Sequence, residues 1–176
     1  MADGTEEARA AQWALRARIE SIVDVVGEWT SWLALVIVAL MATNVLLRYL
    51  FSAGTVWAQE LEWHLLVPLI LFGMSYALRH GEHVRVDIVY GRFSVRTKLI
   101  VDLVSAILAI AISVLIIWLS LHYVQQAYVI DEGSPDPGGL PHRFLIKALI
   151  PIGFVLLLLQ SIAVALGSIE KLRLVK

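Results

Sequence analysis

Apolar residues gather into four runs along this chain, separated by polar or mixed stretches. Each run reaches the roughly 20 residues needed to cross a hydrocarbon core about 30 Å thick at about 1.5 Å of rise per residue. The pattern predicts membrane spans at about 29–51, 57–79, 97–124 and 144–168, together a membrane domain over 29–168. Ahead of the first span, Leu15, Ile19, Ile22 and Val26 recur at helical spacing while Arg16, Arg18, Glu20 and Asp24 take other faces. Residues 1–28 are therefore expected to hold an amphipathic lead-in helix. Trp29, Trp32 and Tyr49 flank the first span as interfacial aromatics do. Acidic residues before the first apolar run, with no small-residue cleavage site after it, argue against a secretory signal peptide.

Ser52-Ala53-Gly54-Thr55 is a tight turn, so the first two spans form a helical hairpin. From Gly81 to Arg96 the pattern is mixed, with Val84, Val86, Val89, Tyr90 and Phe93 interleaved with Arg85, Asp87, Arg92 and Arg96. The alternation resembles a strand, but an open strand edge in lipid leaves backbone groups unpaired, and a short interfacial helix from Val86 to Phe93 is expected instead. Ser94 is placed to cap the third span. The segment from Gln125 to Arg143 contains Asp131-Glu132-Gly133-Ser134-Pro135-Asp136-Pro137-Gly138-Gly139, turn chemistry too dense for a helix. Residues 169–176 form a short basic tail.

Eleven of the fourteen Lys and Arg residues fall before the first span, between the second and third, or after the fourth. By the positive-inside bias both termini are expected in the cytoplasm, with Arg48, Arg143 and Lys147 on the outer side.

Composition agrees with that picture: 59% of residues are hydrophobic and 16% charged, too few polar groups to cover a soluble domain. With no cysteine, disulfides, thiolate zinc sites and iron–sulfur clusters fall away. A net charge of −1 points away from nucleic acid. No internal repeat of the kind that builds a complete secondary transporter is visible.

Ionisable groups at membrane depth invite a functional reading, and few exist here. Arg48 and Glu60 lie equally far from Gly54 in the hairpin, so a structural ion pair between them is expected. His64 and His122 both fall toward the outer half of the membrane, where a haem between helices is the sharper reading and packing the plainer one. Pro68 and Pro151 are expected to kink their helices, and Asn44 and Gln160 to bond between helices. Neither a nucleophile with an adjacent base nor a metal-ligand cluster is evident, which argues against an enzyme and against a resident cofactor. Two rival classes stand beside a transporter subunit: a haem- or quinone-binding anchor of a respiratory complex, and a small homo-oligomeric exporter coupled through Glu60 or Glu62.

The stretches Asn44-Val45-Leu46-Leu47-Arg48-Tyr49-Leu50-Phe51, Trp57-Ala58-Gln59-Glu60-Leu61, Gly81-Glu82-His83-Val84-Arg85-Val86-Asp87 and Lys147-Ala148-Leu149-Ile150-Pro151-Ile152-Gly153-Phe154 occur in this order against the four spans. As a set they resemble the small membrane (Q) subunit of tripartite ATP-independent periplasmic (TRAP) transporters. The resemblance implies a scaffold in the bacterial inner membrane that packs on a large membrane subunit. That partner uses a sodium gradient for symport of a carboxylate-type solute delivered by a periplasmic binding protein. Sodium and solute sites would then lie on the partners. It also implies that Arg48, Glu60, Arg85 and Asp87 matter as structural or interface residues. Arg85, Asp87, Arg92 and Arg96 would form an interfacial arm on the lipid, and Asp131, Glu132, Asp136 and Lys147 would meet the binding protein.

Overall fold

A computed structural model describes residues 3–82 and 90–175. Four helices account for most of them: α1 (Asp3–Phe51), α2 (Val56–His80), α3 (Val95–Val129) and α4 (Phe144–Leu174). All four are long and apolar enough to cross a membrane. Asp, Glu, Lys and Arg are missing from 29–47 of α1, 63–78 of α2, 103–129 of α3 and 148–169 of α4, so charge is confined to the two ends of the bundle. The end with the 52–55 turn and the 130–143 loop is here called the loop end, and the opposite one the termini end.

The lead-in and the first span are one element. α1 runs unbroken through the expected boundary at 28 and 29, and its 49 residues correspond to about 74 Å at 1.5 Å per residue. The reason is a single inward stripe: Ile19, Val23, Gly27, Thr30 and Ile37 are buried at spacings of three, four and seven, and nothing between them breaks the helix. Trp29, Trp32 and Tyr49 stand outward and exposed.

α4 is the centre of the bundle. It lies against α3 over the most extensive interface and also touches α2 and α1, while α1 packs mainly on α2. Its buried positions are mostly small or polar: Gly153, Gln160, Ser161, Ala163, Gly167 and Ser168, with Leu156. Small side chains let helix axes approach closely where lipid offers no hydrophobic drive to association. The closeness is measurable, because a Cβ at Gly153 would come within 2.7 Å of the Leu71 side chain. α3 answers with Leu99, Ala106, Ser113, Ser120 and Ala127, buried once every seven residues, the repeat of left-handed helix pairing.

Helix ends follow local chemistry. Ser94 caps α3 by accepting from the Thr97 N–H at 3.2 Å, as expected. Gly81 closes α2 in the left-handed region at φ 75°, and the next N–H, of Glu82, reaches the Ala77 carbonyl at 2.9 Å. Pro68 and Pro151 lie inside uninterrupted helices. Residues 83–89, which hold Arg85, Asp87 and the first half of the expected interfacial helix, lie outside the described residues.

Candidate functional site: a charged cap at the loop end

The chain between α3 and α4 folds into a closed cap. Its neck is tied by the Arg143 N–H donating to the Glu132 carbonyl at 2.7 Å, and its body by the Ser134 N–H to the Leu140 carbonyl at 3.1 Å. Asp131 and His142 flank the neck in left-handed conformations, φ 46° and 57°. Their side chains pair at 3.0 Å, which offsets part of that backbone cost.

Glu60, on the first turns of α2, reaches up into this cap. Its carboxylate accepts from the Ser134 hydroxyl, from the Leu140 N–H at 2.6 Å and from Arg143 Nη2 at 3.4 Å. The fit requires glycine at 139, where a Cβ would lie 2.4 Å from Ser134 Cβ and 2.7 Å from Glu60 Oε2. Beside it, Lys147 donates to Glu132 while its ammonium sits 3.9 Å from the centre of the Tyr123 ring.

The expected Arg48–Glu60 pair is therefore not formed. Equal depth in a hairpin does not set direction: Arg48 points outward, exposed, with its guanidinium 5.5 Å from the Tyr49 ring centre. Asn44 does bond between helices, donating to Glu62 at 3.1 Å. Of the four residues expected to meet a partner, Asp131 and Asp136 are exposed, whereas Glu132 and Lys147 are joined to each other and half-buried. Arg92 and Arg96 are exposed. The two histidines do not face one site: His64 Nδ1 is bonded to the Glu60 carbonyl at 2.7 Å, and His122 lies on the exposed face of α3 against Trp118. Among the described residues no three His, Asp or Glu side chains are grouped to hold a metal ion.

A second charged cluster sits at the termini end. Glu20 accepts from Arg16 at 2.8 Å and pairs with Arg79 at 3.3 Å, while Asp24 meets His80 at 3.1 Å and Arg79 at 3.7 Å. Beneath it the Tyr76 ring lies against Gly27, so closely that a Cβ there would fall 2.1 Å from the ring. Sequence reading missed this latch and the contribution of Ser134, Leu140 and Arg143 to Glu60. The acids at 20 and 24 and the bases at 79 and 80, on two helices joined as a hairpin, were the available signal.

Residues 37–171 match the model of the DctQ component of tripartite ATP-independent periplasmic transporters. The chain belongs to that family. Among curated relatives, the ectoine TRAP transporter small permease protein of Halomonas elongata is 26% identical over 88% of this chain and 76% of its own length. C4-dicarboxylate TRAP transporter small permease proteins of Vibrio cholerae and Rhodobacter capsulatus are 25% and 30% identical over 69% and 73% of this chain, and over 61% and 56% of their own lengths. The resemblance read from the four ordered motifs is thus established. As a DctQ component the chain is a small permease subunit of a TRAP transporter, a multi-pass protein of the bacterial inner membrane. Its relatives are transporter subunits, not enzymes.

Proposed function

We propose that this DctQ subunit is the static scaffold of its transporter, with both termini in the cytoplasm and the 130–143 cap in the periplasm. The observation that carries the reading is the distribution of charge: four long stretches free of Asp, Glu, Lys and Arg, with several of the charged side chains at the ends paired within the subunit. A coupling site needs charged or polar ligands at mid-membrane that change partners during transport. Ser113 and Gln160 are fully buried there and suit helix packing better than ion transfer. Solute and sodium sites then belong to the large membrane subunit, and this chain needs no cofactor. A C4-dicarboxylate or ectoine is the solute class suggested by the relatives' names.

The exposed Asp131 and Asp136 of the cap are the surface offered to the periplasmic binding protein. Arg92 and Arg96, with Arg85 and Asp87, supply an arm that steadies the subunit on lipid headgroups. The test is uptake by proteoliposomes containing the large subunit and binding protein, with and without this chain. Uptake is expected to require it, and charge reversal at Asp131 and Asp136 to alter the salt dependence of uptake without loss of complex. Uptake by this chain alone, or salt dependence unmoved by the reversal, would sink the scaffold and docking roles respectively.

A further inference from the structure

α4 stands behind both α2 and α3, and close contact runs from α4 to each of them. At the loop end a cleft of about 260 Å³ opens among these three helices. Its rim is polar, made by His64, Tyr123, Arg143 and Lys147, and its deeper wall, one turn further into the membrane, is apolar, with Val67 and Ile150. The charge on this lining is one-sided. Arg143 and Lys147 are part of it, while Glu60 and Glu132, the acids that hold them in place, are not.

Two nitrogens of lining residues are unpaired. The Glu60 carbonyl can only accept, so the His64 Nδ1 that touches it carries the proton, and in the neutral ring Nε2 is then an acceptor. His64 Nε2 and Arg143 Nε are both buried and without a hydrogen-bond partner. One lacks a donor and the other an acceptor. The level is interfacial: the charge-free stretches of α2 and α4 begin at 63 and 148, beside the exposed Trp63 and Tyr123.

We propose that this cleft binds the headgroup of a phospholipid, its phosphate on Arg143 and Lys147, its ethanolamine or glycerol donor toward His64, and its acyl chains along Val67 and Ile150. Phosphate suits a guanidinium and an ammonium that share one lining while their carboxylate partners, Glu60 and Glu132, stand outside it. The apolar wall disfavours a free inorganic anion, and a lipid supplies in one molecule both the acceptor and the donor that the rim lacks.

The experiment is native mass spectrometry of the full chain in mild detergent, titrated with phosphatidylethanolamine, phosphatidylglycerol, inorganic phosphate and diacylglycerol of matching chains. Both phospholipids should bind and the other two should not. Lys147→Gln should weaken phospholipid binding about tenfold, the scale of one hydrogen bond to a charged group. Glu132→Gln breaks the same pair but keeps the ammonium, and should bind at least as tightly as the parent chain. Diacylglycerol held as firmly as phospholipid, an inorganic phosphate adduct, or equal loss in the two variants would overturn the proposal. A photo-crosslinking residue at Trp63, in membranes containing the whole transporter, gives a readout independent of those variants. A phospholipid adduct is expected, and an adduct to another protein chain would overturn the assignment.

Discussion

At the loop end a single carboxylate is held by a hydroxyl, a backbone N–H and a guanidinium, whereas at the termini end two carboxylates share one Arg79 and lean on Arg16 and His80. The first arrangement ties a side chain to a loop backbone, and Glu60 is only 11% exposed. The second joins side chains to side chains, and Arg79 and Asp24 are 30% and 32% exposed. Short bonds to a backbone fix a shape, while longer, part-exposed ion pairs align helices yet remain sensitive to salt. The subunit is thus shaped firmly at its cap and joined more adjustably at the termini end.

The largest effect should come from breaking the firm end. Glu60→Ala leaves the Leu140 N–H and Arg143 without their acceptor, and unfolding in detergent should show a loss of about 2–4 kcal/mol together with protease cleavage in the 130–143 cap. Next comes Gly27→Val, which drives a branched side chain into the Tyr76 ring. It should cost about 1–3 kcal/mol and loosen α1 from α2, seen as faster amide exchange in residues 16–30. Asp24→Asn should cost no more than about 1 kcal/mol, and that cost should shrink in high salt. A cost that did not move with salt would erase the contrast between the two ends. Smallest of all, Arg48→Ala should change stability by less than about 0.5 kcal/mol, and a double-mutant cycle with Glu60→Ala should give no coupling.

The spans were legible because lipid imposes a simple rule on composition, and Ser94 was legible as a cap because its partner is three residues away. The seven-residue spacing of Ala106, Ser113, Ser120 and Ala127 was also present in the sequence and would have announced the close pairing of α3 with α4. Glu60 was harder. Its three partners lie 74 to 83 positions away, and they converge only after the cap has closed on itself. Equal depth brought Arg48 to mind as a partner, but depth fixes one coordinate of a helical side chain and leaves its angle around the axis open. At the termini end the acids of α1 looked like the wet face of an amphipathic helix, although two of them face a neighbour.

A helix of 49 residues without a break is also a beam. It is more than twice the thickness of the hydrocarbon core, and bending it sharply would require breaking its own hydrogen bonds. Pivoting such a beam about its Phe51 end by only about 10° would carry the Asp3 end through about 13 Å. The latch at Arg79 and the Gly27–Tyr76 contact, which hold that angle, therefore decide where the first turns of α1 stand.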